Sequence, residues 1–247
     1  MIELKDLCFS VREDGETKEI IKDMNLTIGD DRFVVITGPN GSGKSTLAKL
    51  IAGIEKPTSG KIYFNGEDIT DLNVTERAKR GISYAFQQPV RFKGIQVKDL
   101  LKIAAGKFLS RDQMYEYLSL CGLCAKDYID REVNASLSGG ELKRIEIATL
   151  LARNTEFSLF DEPEAGIDLW SFKNLIHVFE ILREQTQGSV MIISHQERIM
   201  QIADDIVVIN AGKITMHGPK EAVLPLLLGS RPQEGCDNIC QGGAECR

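Results

Sequence analysis

The sequence contains no apolar run long enough to cross a lipid bilayer, and its first residues lack the pattern of a secretory signal peptide. Basic side chains do not gather into patches but are scattered among acids, and the net charge is -6. This distribution argues against a nucleic-acid-binding protein. We therefore expect a cytoplasmic protein without direct membrane insertion, whose six cysteines are thiols or metal ligands rather than disulfides.

Apolar runs typical of buried strands alternate with helical patterns along most of the 247 residues. This alternation predicts an α/β fold with a mostly parallel sheet and helices on its faces. Residues 89–145 are rich in helical patterns and interrupt the alternation, which predicts a helical lobe. We expect one domain over residues 1–228, followed by a flexible, cysteine-rich tail over residues 229–247.

Local signals refine the helical part of this prediction. Asn73 with Glu76, and Ser110 with Gln113, are typical of reciprocal capping pairs at the first turn of a helix. The pattern from residue 97 to about residue 123 is helical throughout.

The strongest functional signal is a glycine-rich loop between a short buried strand and a helix. Its glycines let backbone N–H groups converge on a phosphate chain, while the Lys44 ammonium reaches the terminal phosphates and the Ser45 hydroxyl binds Mg²⁺. The positive end of the following helix adds to the attraction. The sequence thus predicts a nucleotide-phosphate site formed by Gly38, Pro39, Asn40, Gly41, Ser42, Gly43, Lys44, Ser45 and Thr46.

A second signal is a pair of acids, Asp161 and Glu162, directly after a predicted strand over residues 157–160. Such acids lie at the carboxyl edge of a parallel sheet, where ligands bind. Asp161 is predicted to hold Mg²⁺, directly or through water, and Glu162 to activate an attacking water. Most acid pairs of this kind are solvated strand ends, but here the pair follows a phosphate loop.

A third stretch, residues 137–141, contains Ser138, Gly139 and Gly140 at the start of a predicted helix. Exposed backbone N–H groups and the Ser138 hydroxyl at a helix N-terminus favour a second anion site. An ordinary helix cap would use the same residues, so both interpretations remain open.

These motifs, together with Gln87 and His195 and in this order, resemble those of an ABC-type ATPase domain over about residues 1–220. The resemblance implies a P-loop NTPase fold with an antiparallel β part near the N-terminus, and it implies ATP and Mg²⁺ as ligands. Gln87 would sense Mg²⁺ and the attacking water, and His195 would contact the γ-phosphate and Glu162.

The same resemblance implies an ATP-dependent homodimer in which two copies pair head to tail. Ser138 and Gly140 of one copy would contact the γ-phosphate held by the other, and Asp168 would lie in a loop that crosses the dimer. ABC domains usually stack adenine on an aromatic side chain of the first strands. This sequence has Val11 at that place, so we expect adenine to rest on an aliphatic group.

Five shorter sequence segments resemble the SufC family, the ATPases of the SUF iron–sulfur cluster assembly system. These segments are residues 86–90, 131–134, 138–144, 164–168 and 195–199. That resemblance implies a subunit that binds a SufB-like scaffold protein and uses ATP to reshape it. Two alternatives remain: the ATP-binding subunit of an ABC importer, and a cluster-carrying interaction protein with a weak ATPase. The partner that the ATPase moves is expected to dock on the helical lobe near the segment after Gln87. The apolar residues of that segment are Pro89, Val90, Phe92 and Ile95, which could instead fold back as core of the lobe.

Two groups of cysteines receive different interpretations. Cys236, Cys240 and Cys246 have few apolar neighbours, and we expect them to bind an iron–sulfur cluster or zinc, although a thiol tail without a ligand explains them equally simply. Cys121 and Cys124 are flanked by leucines and are predicted to be buried helical cysteines.

Overall fold

The computed structural model describes residues 1–229 except residues 14, 89, 167–168 and 186–187. Asp168, Pro89 and the three cysteines of the predicted tail therefore lie outside the described residues. Among the residues described, no helix is both long and apolar enough to cross a membrane.

Ten strands and nine helices follow one another in the described chain. The strands are β1 Ile2–Glu13, β2 Glu16–Ile28, β3 Phe33–Thr37, β4 Ser59–Phe64, β5 Glu67–Asp68, β6 Ile82–Ala85, β7 Phe157–Asp161, β8 Ser189–Ile193, β9 Asp205–Asn210 and β10 Lys213–Pro219. The helices are α1 Lys44–Ala52, α2 Val74–Lys79, α3 Val97–Ala105, α4 Arg111–Leu120, α5 Ala125–Tyr128, α6 Gly139–Arg153, α7 Leu169–Gln185, α8 Glu197–Gln201 and α9 Lys220–Gly229.

The strands form two sheets. The larger has the order β10-β9-β3-β8-β7-β6, with β9, β3, β8, β7 and β6 parallel and β10 antiparallel to β9. The smaller is antiparallel, with the order β2-β1-β4-β5. The predicted mostly parallel sheet and the antiparallel part near the N-terminus are both confirmed.

The larger sheet separates two hydrophobic cores, because alternate side chains of a strand point to opposite faces. In β3, Phe33 and Val35 pack with the helical residues of α3 to α7, whereas Val34 and Ile36 pack with α1 and the smaller sheet. With both faces covered, every residue of β3, β7 and β8 is buried. A polar binding site can therefore form only at the ends of these strands.

The helical pattern predicted from residue 97 to about residue 123, with a capping pair at Ser110, corresponds to two helices. Gly106, with φ of 62°, ends α3 in the left-handed conformation, and α4 begins after Ser110. Both predicted capping pairs are present, at Asn73 and at Ser110. Helical periodicity continued across a real boundary, because the apolar residues on each side face the same core.

The helical lobe over about residues 89–145 stays a prediction. The helix α6, which packs against α3 and α4, continues past residue 145 to Arg153 beside β6. Of the paired cysteines, Cys121 is buried at the end of α4, whereas Cys124 is exposed at the start of α5. The expectation that both are buried is wrong for Cys124, because the chain turns at Gly122 and carries the second thiol outward.

Candidate nucleotide-binding site

The glycine-rich loop connects the carboxyl end of β3 with α1, as the sequence predicts. Gly38 has φ of 137°, and a Cβ atom there would lie 1.9 Å from the carbonyl oxygen of Ile209. Gly43 has φ of 102°, and a Cβ there would lie 2.8 Å from Ile21 Cδ1. Both positions therefore require glycine for the chain to turn between neighbouring strands.

Lys44 is buried and folds back over its own loop. Its Nζ atom donates to the carbonyl oxygens of Gly38 at 2.8 Å and Pro39 at 2.9 Å. Burial lowers the pKa of Lys44, and the charges of Glu162 and Asp161 oppose that change. Nearby, the buried Ser42 Oγ has no hydrogen-bond partner within the described part of the chain. A positive group and an unpaired hydroxyl in a loop of this shape suit a phosphate ligand.

Asp161, at the end of β7, is held at both carboxylate oxygens. Ser45 Oγ donates to Oδ1 at 2.9 Å, and the Tyr84 hydroxyl donates to Oδ2 at 2.8 Å. Burial and the charge of Asp161 raise the pKa of Tyr84. A hydroxyl beside a carboxylate is an oxygen set of the kind that Mg²⁺ prefers, so Ser45 and Asp161 fit this ion.

Gln87 and His195, which are far from Glu162 in the sequence, both lie beside its carboxylate. Gln87 Nε2 donates to Glu162 Oε2 at 2.6 Å, and His195 Nε2 lies 3.8 Å from Glu162 Oε1. Burial and the charge of Lys44 lower the pKa of His195, and Glu162 opposes this. A carboxylate that accepts a hydrogen bond from an amide and lies beside an imidazole and a phosphate loop can accept a proton from a water molecule.

A cleft opens beside the loop, and Glu162 and Gln87 form one side of it. The remaining lining residues are Lys18, Ile20, Asn40, Gly41, Gly43, Lys44, Ser45 and Thr46. Val11 pairs with Lys18 across the β1–β2 hairpin but is not among the lining residues. The sequence prediction missed Lys18 and Ile20, which the period-2 pattern of β2 places on one face.

The stretch at the start of α6 makes the helix cap that the sequence left open. Ser138 Oγ accepts from the N–H of Glu141 at 3.3 Å, and Glu141 Oε2 accepts from the N–H of Ser138 at 2.6 Å. A Cβ atom at Gly139 or Gly140 would meet nothing within 4 Å. The first turn of α6 is thus open toward solvent, and none of these residues lines the cleft described above.

An apolar groove lies on the other side of β6. Phe86, Val90, Phe92 and Ile103 are among its lining residues, and they are 43%, 44%, 37% and 66% exposed. Val90 and Phe92 therefore do not fold back as core. Ile95 is half-buried and is not among the lining residues of this groove, so its place on a docking surface stays a prediction.

Other expected site residues are not brought together by the described structure. Asp168, Cys236, Cys240 and Cys246 lie outside it. Within the residues that are described, no group of three or more His, Cys, Asp or Glu side chains could hold a metal ion. The sequence prediction also missed the role of Glu164, a half-buried carboxylate that accepts a hydrogen bond from Ser194 in the loop of His195.

Comparisons with known proteins agree with this geometry. A sequence model described as "ABC transporter" matches residues 21–165. An "Uncharacterized ABC transporter ATP-binding protein MJ0035" from Methanocaldococcus jannaschii is 42% identical and covers 83% of this chain and 85% of its own length. A "Probable ATP-dependent transporter ycf16" from Pyropia yezoensis is 36% identical, over 88% of this chain and 91% of its own.

A solved structure shares the fold. It is titled as the dimeric, post-hydrolysis state of the ATP-binding cassette MJ0796 bound to ADP and Pi. The TM-score is 0.80 at 25% identity, and the match covers 89% of this chain and 99% of that one.

Proposed function

The chain belongs to the ABC transporter family and is an ATPase, and from this premise we propose that it is the subunit of a larger machine in which ATP closes two copies and moves a partner protein. The observation that carries the proposal is the convergence of Gln87 and His195 on Glu162, beside the phosphate loop. The convergence places a base, its orienting groups and a phosphate site in one cleft.

Within this proposal the loop and its neighbours bind the triphosphate. Lys44 exchanges its contacts with the Gly38 and Pro39 carbonyls for contacts with phosphate oxygens. Ser45 and Asp161 hold Mg²⁺, which when bound neutralises charge on the phosphates. The orphaned Ser42 hydroxyl gains a partner, which removes the cost of a buried, unpaired polar group.

Glu162 is proposed as the general base that takes a proton from the attacking water. Gln87 holds one of its carboxylate oxygens and His195 faces the other, so the carboxylate is fixed in orientation. The hydrogen bond of Gln87 also connects Glu162 to the segment beside the apolar groove. Movement of a docked partner would thus change the position of the Glu162 carboxylate through Gln87.

The second copy is proposed to complete the site. Ser138, Gly139 and Gly140 present an open helix N-terminus that does not reach the cleft of their own chain. Such an end favours an anion. A head-to-tail pair would place it against the phosphate bound by the partner copy, and the dimeric state of the MJ0796 cassette supports this arrangement.

The names of the relatives favour a transporter, so the proposed partner is the membrane component of an ABC transporter. An importer is one such case, because a relative named as a sulfate/thiosulfate import ATP-binding protein is 34% identical. A second candidate is favoured by a different observation. The segments that resemble SufC, including residues 131–134 and 195–199, point to a soluble SufB-like scaffold of iron–sulfur cluster assembly. Both partners would dock in the apolar groove lined by Val90 and Phe92.

Affinity capture of the tagged full chain, in parallel with and without detergent, tests these candidates. A transporter subunit retains an integral membrane protein only when detergent is present. A scaffold ATPase retains a soluble protein in both preparations. The third reading, a cluster carrier with weak ATPase, predicts a coloured protein after anaerobic purification and little ATP turnover.

A further inference from the structure

Tyr84 joins the two sites described above. It lies on β6, which pairs in parallel with β7, and its hydroxyl donates to Asp161 Oδ2 at 2.8 Å. Its ring packs edge to face against Phe86, with 4.8 Å between the ring centroids, and forms part of the groove wall. One side chain thus contacts the groove with its ring and the nucleotide site with its hydroxyl.

The two hydrogen bonds to Asp161 act on different oxygens. Ser45 Oγ occupies Oδ1, on the side of the phosphate loop, whereas Tyr84 occupies Oδ2, on the side of β6. A terminal carboxylate rotates over a broad range when nothing holds it. Fixing one oxygen from behind therefore determines where the other oxygen points.

We propose that Tyr84 is a positioning residue for the metal–nucleotide site, whose hydroxyl holds the Asp161 carboxylate so that Oδ1 stays directed at Ser45 and the phosphate loop. The inference rests on the proposed function, because it assumes that Ser45 and Asp161 hold Mg²⁺. The aromatic ring alone would fill the same space in the wall of the groove, so the hydroxyl is the part that serves the site.

The test uses the full chain and measures equilibrium ATP binding in EDTA and across a Mg²⁺ titration. Tyr84→Phe removes only the hydroxyl and keeps the ring. Tyr115→Phe is the matched control, because the Tyr115 hydroxyl accepts from Arg111 on α4, away from the cleft. We expect all three proteins to bind ATP equally in EDTA. In Tyr84→Phe the Mg²⁺ concentration for half-maximal tightening should rise by about 10- to 100-fold, as for lost partners of metal ligands elsewhere.

A second measurement separates positioning from packing. In an Asp161→Ala background, Tyr84→Phe should add no further change to the Mg²⁺ dependence, because the group it positions is gone. A Tyr84→Phe protein with wild-type Mg²⁺ dependence would overturn the inference, and so would an equal loss with and without Mg²⁺. If the ATP affinity of the wild-type protein did not change with Mg²⁺, the assignment of Ser45 and Asp161 as Mg²⁺ ligands would be wrong. This inference, which depends on that assignment, would then be wrong as well.

Discussion

Gln87 donates a hydrogen bond from Nε2 to Glu162 Oε2 at 2.6 Å. This contact joins the segment after β6 to the turn after β7, and it spans the edge of the sheet between the apolar groove and the cleft. Glu162 itself has a left-handed backbone, with φ of 45°, and its N–H donates to the Ile193 carbonyl at 3.0 Å. The carboxylate is therefore held by the fold as well as by its neighbours, which makes its role testable by a single substitution.

Replacing Glu162 by Gln should lower ATP turnover by about 10²–10⁴-fold, the usual contribution of a positioned general base. ATP binding should persist, because Lys44 and the loop are unchanged and the amide keeps the size of the carboxylate. Steady-state phosphate release and equilibrium ATP binding check the two halves of the prediction. Glu116→Gln, at an exposed position of α4, is the control; turnover at the wild-type rate in Glu162→Gln would show that another group is the base.

ATP should convert the chain from monomer to two-fold dimer, and Glu162→Gln should make that dimer long-lived. In the proposed head-to-tail pair each site uses Ser138 and Gly140 of the other copy, so the interface would use the same surface twice. Light scattering coupled to size exclusion, with and without ATP, measures the change in mass. A dimer of the same abundance in both conditions would contradict closure by nucleotide.

A feature could be predicted from the sequence when residues close to one another in the chain determine it, and could not when it depends on residues far apart in the chain. The phosphate loop was predictable because its glycines, Lys44 and Ser45 are fixed by local spacing between a strand and a helix. The contact of Tyr84 with Asp161 was not, because it requires the register of β6 against β7, whose residues pair from positions 82 and 157 onward. The spacing of residues along the chain does not determine which residues of the two strands pair.

Two details could not be read from the sequence. The capping pair predicted at Ser110 is confirmed as a helix start, but the end of α3 at Gly106 could not be told from helical periodicity alone. Lys18 and Ile20 line the cleft because of how the β1–β2 hairpin packs beside the loop, whereas a contact of Val11 with adenine stays a prediction.

Charge in the apolar groove should abolish partner binding and leave ATP binding intact. Val90 is 44% exposed, so Val90→Glu adds a carboxylate at a surface rather than in the core. Ile54→Glu, at a site 38% exposed after α1, is a control of the same kind outside the groove. Capture of the partner and ATP affinity are measured together, and loss of ATP affinity in Val90→Glu would show that this residue supports the fold.

The tail is proposed to bind zinc or an iron–sulfur cluster, separately from the Mg²⁺ expected at Ser45 and Asp161. The proposed ligands are Cys236, Cys240 and Cys246. Three thiolates leave one position of a tetrahedral site for another ligand. Reconstitution with zinc, or with iron and sulfide, should load the full chain and not a chain ending at Gly229; equal metal content in both would refute the assignment without touching the ATPase.

Arg77 provides a prediction about stability. Its guanidinium is buried and donates to four carbonyl oxygens, those of Leu50, Ile51, Thr70 and Leu72, at 2.7 to 3.0 Å. Two of these carbonyls, those of Leu50 and Ile51, lie in the last turn of α1, the helix that follows the phosphate loop, where few backbone N–H groups remain as donors. A lysine or arginine in an amphipathic helix is usually solvated, so this role of Arg77 could not be predicted from the sequence.

Arg77→Met should lower the free energy of unfolding by about 3 kcal/mol, since buried acceptors without a donor cost about 1–3 kcal/mol each and the methionine recovers part of the packing. For a domain of this size the loss corresponds to a midpoint lower by roughly 6–12 °C. Lys79→Met, exposed on the same helix, should shift the midpoint far less. Thermal unfolding of the two variants with and without nucleotide checks this. An unchanged midpoint in Arg77→Met would mean that water replaces the guanidinium at the end of α1.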